Sequence, residues 1–298
     1  MMLAARAPLA RFRATFARDR IAAGALIILL AVLFLAVLAP VVAPQNPYDL
    51  AQLDILDAKL PPGASSPGGT TYWLGTDEQG RDMLSAILYG LRISLGVSIV
   101  ATLCALAIGL TIGLVAGYAG GWIDGLVMRL VDLQLSFPSI LIALVLLAMT
   151  GPGVDKILIA LIAVQWAYYA RTVRGIALVE KNKEYVEAAR CLALRPSRIV
   201  FRHLLPNCLP PLIVVATIQV AQAITLEATL SFLGLGVPIT SPSLGLLIAN
   251  GFVYLLSGKY WISFFPGIAL LVTIVAINLV GDRLRDILNP RLGGHYGA

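Results

Sequence analysis

The chain is organised around Glu184–Asn207, EYVEAARCLALRPSRIVFRHLLPN, a charged stretch between long apolar runs. Its ionic or ionisable side chains are Glu184, Glu187, Arg190, Arg195, Arg198, Arg202 and His203. One such charge at the centre of a bilayer costs roughly 2.5–3.5 kcal/mol or more. The stretch is therefore expected to lie outside the hydrocarbon, between segments that cross it.

Helix signals in this stretch predict two short helices with a bend between them. Asn182 is the expected N-cap, and Glu184 follows in the first turn, where the helix dipole favours an anion. Pro196 is expected to stop the first helix and to begin the second. Pro206 is expected to close the second helix, because the residue before a proline avoids the α region.

Seven residues here resemble the EAA loop of ABC-transporter permeases. They are Glu187, Ala188, Ala189, Ala193, Ile199, Leu205 and Pro206. In that family the loop is the coupling helix that docks into a groove on the ATPase subunit, so the resemblance implies a coupling loop at about residues 171–208. The family usually has Gly where this chain has Ala193, and Ala lacks the freedom of Gly at a left-handed bend. The alternative is a basic loop that serves only topology, but such a loop needs no Glu-Ala-Ala.

The composition indicates an integral membrane protein. Of the 298 residues, 59% are hydrophobic and only 13% are charged, whereas soluble proteins have about 25% charged residues. The three cysteines, Cys104, Cys191 and Cys208, form no CxxC pair, and there are only two histidines. The sequence therefore predicts neither a disulfide framework nor a metal site.

Six apolar stretches predict six transmembrane helices in an all-α fold. They are residues 21–42, Ser94–Gly117, Leu135–Thr150, Ile157–Ala170, Leu212–Thr229 and Ile262–Val280. The first is longer than the roughly 7–15 apolar residues of a signal peptide, so we expect it to be retained. The third can begin near Ile123 if Arg129 and Asp132 face protein or headgroups. A further run, residues 244–256, is too short to span and is typical of a re-entrant or interfacial segment.

The distribution of basic residues predicts the orientation of the six helices. Six spans place 17 of the 22 Lys and Arg residues on one side, which is then the cytoplasmic side. On this side lie a basic tail at 1–20 and a second tail at 283–298, and residues 43–91 form an extracytoplasmic insert. The formal charge of +6 then follows from topology, and no nucleic acid is required to explain it.

The insert contains a second motif, Trp73–Asp82, WLGTDEQGRD. Thr76 and Gln79 have the spacing of a capping box. The apolar residues from Met83 to Leu91 form a stripe typical of an interfacial helix. The motif resembles the segment before the second membrane helix in the peptide/nickel branch of ABC permeases.

The sequence contains no evident catalytic motif. No GxxxxGK[ST] phosphate loop occurs, and the glycine-rich piece Gly117–Gly121 lacks the lysine. No Ser/His/Asp constellation is evident either, so we expect a non-catalytic chain whose energy comes from a partner.

Glu227 is the one carboxylate deep in an apolar sequence. Two interpretations are open for it. In one, Glu227 belongs to the wall of a substrate path or to an outer gate. In the other, the fifth span ends there and Glu227 is capped or solvated at its rim.

The resemblance extends over most of the chain, including a core at 92–282. It is to the second permease subunit of dipeptide/oligopeptide/nickel importers of bacterial inner membranes. It implies a type I ABC importer fold, a homologous permease partner, an extracytoplasmic binding protein, and two ATPase subunits that bind ATP and Mg while this chain binds no cofactor. There are two alternatives. One is a secondary transporter, which would be expected to have inverted repeats and polar residues in its spans. The other is a membrane scaffold with no transport role. The cargo stays open between peptides and nickel.

Overall fold

The fold consists almost entirely of helices that run along one another. A computed structural model of the protein describes residues 16, 19–49, 53–66, 69–238 and 240–288. Most of the basic tail at 1–20 and the part of the second tail beyond residue 288 lie outside these residues. The described helices are α1 Arg20–Val37, α2 Ala39–Val42, α3 Met83–Ala119, α4 Gly121–Leu135, α5 Ser139–Thr150, α6 Val154–Glu180, α7 Glu184–Cys191, α8 Pro196–Ile199, α9 Leu205–Phe232, α10 Leu244–Phe252 and α11 Trp261–Leu288.

Four helical segments of the described chain are long and apolar enough to cross a membrane. They are α1, α3, the continuous segment Pro196–Phe232, and α11. A fifth crossing is possible if α4 and α5, which are bent by 85° at Ser136–Pro138, count as one. The 27-residue helix α6 is outside this set because charged residues flank its apolar centre. The all-α membrane fold is therefore confirmed, but six crossings are not.

The predicted interfacial helix at 83–91 is not a separate element. Met83 begins the 37-residue helix α3, which continues to Ala119 because it contains no proline. The apolar stripe from Met83 to Leu91 packs mainly into the core, against α9, α10 and α11. The predicted capping box is also wrong, since the N-cap is Asp82, whose Oδ2 accepts from the Ser85 backbone N–H at 2.8 Å.

Two apolar segments of the sequence, the third predicted crossing and the short run at 244–256, can be compared with the observed helices. Helix α4 precedes the predicted third segment, which itself forms α5 from Ser139 onward. Asp132 on α4 is exposed and pairs with Arg171 of α6. The short run at 244–256 forms the nine-residue helix α10 followed by a 3₁₀ turn at Leu255–Ser257. At about 1.5 Å per residue α10 is too short to cross a bilayer, as the sequence predicted.

The insert before α3 folds into a cap on the ends of the helices. It contains a two-stranded hairpin, β1 Ala64–Ser65 and β2 Thr71–Tyr72. Arg81 is only 1% exposed and donates to Asp77 at 2.6 Å. The indole Nε1 of Trp261, at the start of α11, donates to the Thr76 carbonyl at 3.1 Å. A methyl group on Gly75 would lie 2.6 Å from the Leu60 carbonyl oxygen, so only glycine fits this turn.

The largest helix–helix contact joins α3 and α6, and glycines make it close. Gly109, Gly113 and Gly117 recur every four residues on α3 and face α6. A methyl group on Gly113 would lie 2.6 Å from the Ala170 carbonyl oxygen, and one on Gly109 would lie 2.5 Å from the Trp166 carbonyl oxygen. Small residues at this spacing let two backbones approach within van der Waals contact, which drives helix packing in lipid.

We predict opposite effects for two Gly-to-Ala changes on α3. Gly113→Ala should lower the stability of the protein by about 1–3 kcal/mol, because the methyl group overlaps the α6 backbone. Gly96→Ala on the same helix should raise it by up to about 1 kcal/mol, because a methyl group there meets nothing within 4 Å and Ala favours the helix. Thermal unfolding of the two variants in detergent measures the direction of both changes in stability. Equal effects would contradict close contact between α3 and α6 at Gly113.

Candidate functional site

The coupling-loop helix α7 begins one residue later than the sequence predicted. Its N-cap is Lys183, not Asn182, and the Asn182 side chain instead donates to the Leu178 carbonyl at 3.1 Å, in the last turn of α6. Glu184 and Glu187 lie in the first turn of α7, where carboxylates stabilise the positive end of the helix dipole.

Helix α7 ends in a Schellman motif with Ala193 in the left-handed position. The φ of Ala193 is 52°. The Ala193 N–H donates to the Arg190 carbonyl at 2.9 Å, and the Leu194 N–H donates to the Ala189 carbonyl at 3.2 Å. These are the two hydrogen bonds of that motif, in which glycine is the usual residue. The bend expected of a glycine is therefore kept, although an L side chain in this conformation costs roughly 1–2 kcal/mol.

The second half of the loop is not a separate short helix, contrary to the prediction. Helix α8 begins at Pro196 and passes through a π-helical segment, Val200–Leu204, directly into α9. Pro206 lies in the first turn of α9, and because the helix is continuous from Pro196, its missing N–H removes one bond from the helical ladder. The Asn207 side chain donates to the His203 carbonyl at 2.7 Å and so supplies a donor beside the proline.

A polar cluster fixes α7 to the ends of α6 and α9. Glu180, at the end of α6, accepts from Lys183 Nζ at 2.6 Å and from the Tyr185 hydroxyl at 2.7 Å. Asn207 of α9 donates to the same hydroxyl at 3.1 Å. Burial and the bond to Glu180 raise the pKa of Tyr185 to about 12, so its hydroxyl keeps the proton that it donates. One carboxylate therefore joins three helices.

The loop residues divide into an inward and an outward set. Val186, Ala189 and Ile199 are buried in an apolar cluster with α3, α6 and α9. Of the predicted coupling residues, Ala189 and Ile199 thus face the membrane helices, and Leu205 is half-buried. Those exposed to solvent are Glu187, Ala188, Ala193 and Pro206.

Two exposed apolar side chains of the loop were missed by the sequence analysis. Leu192 is 74% exposed and Phe201 is 63% exposed. The sequence did contain a signal for both, because each is a large apolar residue in an otherwise charged stretch. Leu192 follows Ala188 by one helical turn, so Glu187, Ala188 and Leu192 form an outward face of α7 that is exposed in the described chain. Phe201 lies instead beside a groove between α3 and the segment from Pro196.

A second candidate site is a polar groove between α5, α6, α9 and α11. Its volume is about 540 Å³. Its polar lining comprises Ser139, Gln165, Tyr168, Gln219, Gln222, Thr225, Thr229 and Asn278. No side chain that lines it is charged. The sequence analysis did not find this groove, because its residues come from four separate apolar runs.

Glu227 does not line this groove. The groove receives Thr225, Leu226 and Thr229 from α9, whereas Glu227 faces the other side of the helix. Its side chain is 0% exposed and accepts from the Ser231 hydroxyl at 2.7 Å, and Ser94 and Ser243 lie against it. The carboxyl group is therefore not solvated at a rim, because α3 and the N-terminus of α10 cover it.

The helical fold with a separate surface loop defines a membrane component, and comparison with known families specifies it. Residues 109–294 match the family described as binding-protein-dependent transport system inner membrane component. Residues 7–62 match the N-terminal transmembrane domain of oligopeptide transport permease C. The chain belongs to the family of binding-protein-dependent transport system inner membrane components. It is thus a non-catalytic, multi-pass permease subunit of an ABC importer, which implies ATPase and binding-protein partners; such subunits usually bind no cofactor.

Individual relatives cover nearly the whole chain. The dipeptide transport system permease protein DppC of Escherichia coli (strain K12) is 45% identical over 286 residues, which is 96% of this chain and 94% of that protein. The di/tripeptide transport system permease protein DppC of Pseudomonas aeruginosa is 38% identical over 285 residues, 96% and 93% of the two chains. A solved inward-facing structure of the MetNI methionine ABC transporter shares the fold. Its TM-score is 0.57 at 22% identity, over 69% of this chain and 97% of that chain.

We predict that Ala193→Gly tightens the end of α7. Glycine removes the conformational cost of a left-handed L residue, so the local free energy of opening should rise by about 1 kcal/mol. The amide hydrogen of Leu194 should then exchange roughly fivefold more slowly. Ala188→Gly, in the exposed middle of α7, should act in the opposite direction by a similar amount. Hydrogen exchange of the solubilised protein measures both variants, and faster exchange in Ala193→Gly would contradict the observed cap.

Proposed function

We propose that this chain is one of two homologous permease subunits of an importer for dipeptides or short oligopeptides. Its partners are the related permease, an extracytoplasmic binding protein, and two ATPase subunits that hold ATP and Mg. The outward face of α7 carries the proposal, since it is the exposed part of a loop whose other face is fixed to three helices.

The cargo assignment has two supports. The similar proteins from Escherichia coli and Pseudomonas aeruginosa are named for dipeptides and di/tripeptides. In addition, the groove offers amides and hydroxyls rather than the carboxylate, imidazole or thiolate ligands that a nickel ion prefers. Among the described residues, no three His, Cys, Asp or Glu side chains are grouped to hold a metal ion. A peptide therefore fits this path better than a metal cargo does.

Coupling in this proposal uses the exposed face of α7 as a helix that seats in a groove of the ATPase. Ala188 lets the helix approach closely, Leu192 supplies apolar area, and Glu187 supplies a polar anchor. Ala189 and Ile199, which the resemblance assigned to the same loop, would act from the inner side by fixing α7 to α3, α6 and α9.

The proposed orientation has six crossings with both termini in the cytoplasm. Helix α6, the fourth crossing in chain order, completes the six, and Arg171 and Arg174 lie near its cytoplasmic end. Ion pairs with α4 neutralise both arginines: Arg171 contacts Asp132, and Arg174 donates to Asp124 at 2.6 Å. The part of the predicted insert that precedes α3, residues 43–82, then lies on the extracytoplasmic side of the membrane.

Single-cysteine labelling tests this orientation in a chain whose three native cysteines are replaced. Thr70→Cys in the insert should react with a membrane-impermeant maleimide added to intact cells, because Thr70 is exposed. Ser197→Cys in the coupling loop is also exposed but should react only after the membrane is permeabilised. Reaction at Ser197→Cys in intact cells would refute the orientation.

Two changes on the outward face of α7 should uncouple transport. Glu187→Lys places an unpaired charge in the contact, and Ala188→Trp fills the space that lets the helices approach. Burying such a charge costs several kcal/mol, so we expect loss of both uptake and the ATPase stimulation by loaded binding protein. Both are measured in reconstituted vesicles.

Ala107→Trp is the matched control for the change at Ala188. Ala107 is an exposed alanine on α3, away from the loop, and its replacement should leave coupling intact. Normal stimulation in both Glu187→Lys and Ala188→Trp would mean that α7 is not the coupling element.

A further inference from the structure

The polar groove contains side chains that are not satisfied by the protein itself. Gln222, Thr225 and Asn278 are exposed and line the groove from α9 and α11. Within the described ranges neither Gln222 nor Asn278 makes a hydrogen bond. Amide groups are costly to leave without partners in lipid. These two amides therefore indicate a face that meets water or a polar solute.

Neighbouring exposed positions on the same helices have the opposite character. Ile213 on α9 and Leu271, Val275 and Leu279 on α11 are exposed and apolar, as expected of lipid-facing residues. The polar positions are confined to the groove, since Gln222, Thr225 and Thr229 follow one another at helical spacing. The groove thus carries these polar side chains between apolar surfaces, and Ile218, Leu226 and Ile274 also contribute to its lining.

The floor of the groove is held in place by Gln165 of α6. Its Oε1 accepts from the Thr102 hydroxyl of α3 at 3.1 Å, and its Nε2 donates to the Gln219 carbonyl of α9 at 3.1 Å. Gln165 is almost fully buried. The Gln165 amide is therefore hydrogen-bonded within the protein. The amides of Gln222 and Asn278, which have no such bonds within the described chain, lie beside this fixed part of the groove.

We propose that Gln222, Thr225 and Asn278 form a contact site for the backbone of a peptide in transit. A primary amide both donates and accepts, as does a peptide unit, so Gln222 and Asn278 match any peptide bond regardless of its side chains. Because no charged residue lines the groove, the site does not select among peptides by charge. This inference rests on the proposed function and adds to it the residues that the cargo touches.

Uptake by the complete reconstituted importer tests the site. Gln222→Leu with Asn278→Leu should lower the maximal uptake rate of neutral, Lys-containing and Glu-containing dipeptides alike, by about tenfold for the loss of two hydrogen bonds. ATPase stimulation by loaded binding protein should change less than twofold, since α7 is untouched. Thr225→Val should also slow uptake, whereas Thr111→Val should not. Thr111 is the matched control, because both threonines are exposed and donate to the carbonyl four residues earlier.

A charge variant separates contact with cargo from a structural role. Gln222→Glu should raise the ratio of Lys-dipeptide to Glu-dipeptide uptake by about fivefold or more, because the new carboxylate meets the passing side chains. A structural defect would slow both peptides equally and leave the ratio unchanged. An unchanged ratio in Gln222→Glu, or normal uptake in the double leucine variant, would overturn the contact site. A wild-type complex that takes up no dipeptide would instead refute the proposed function.

Discussion

Close contact between the backbones of α3 and α6 is the constraint on which both candidate sites depend. In lipid, two apolar helices gain little from contact unless small residues let their backbones approach, since the hydrocarbon chains are equally apolar. Gly109, Gly113 and Gly117 provide that approach over about two turns of α3. The same two helices contribute Thr102 and Gln165 to the floor of the groove. A wider separation would therefore break the base of the groove as well as the seam.

Helix α6 connects the two sites as a single rigid element. Gln165 and Tyr168 lie at the groove, and Glu180 anchors α7 at the other end. Glu180 follows Gln165 by 15 positions, which corresponds to about 22 Å of uninterrupted helix. The insert caps the helix ends: the buried Arg81–Asp77 pair holds the insert itself together, and the hydrogen bond from Trp261 to the Thr76 carbonyl ties it to α11. Loop, groove and cap thus belong to one packed structure and not to separable domains.

The sequence predicted the elements that have local signals. Charge content located the loop, and hydropathy located the apolar helices, because both depend on composition within a window. It failed where tertiary contacts decide. The segment from Met83 had the pattern of an interfacial helix but continues into α3, since no breaker separates them and the cap buries its start. The groove was not foreseen because Gln222 and Asn278 are isolated polar residues in different runs. Glu227 is buried because α10 covers it, and the residue spacing within α9 does not predict that contact.

The two connections of α7 to the membrane helices differ in stiffness. On one side α7 follows α6, an unbroken helix without proline. On the other side the chain passes through α8 and a π-helical segment into α9, which carries Pro206, Pro210 and Pro211 in its first turns. Each proline removes an N–H from the helical ladder, and its ring disfavours a straight helix. The start of α9 therefore bends more easily than the end of α6, and the Asn207 bonds to His203 and Tyr185 replace only part of the lost ladder. Helix α7 is therefore joined more stiffly to Gln165 through α6 than to Gln222 through α9.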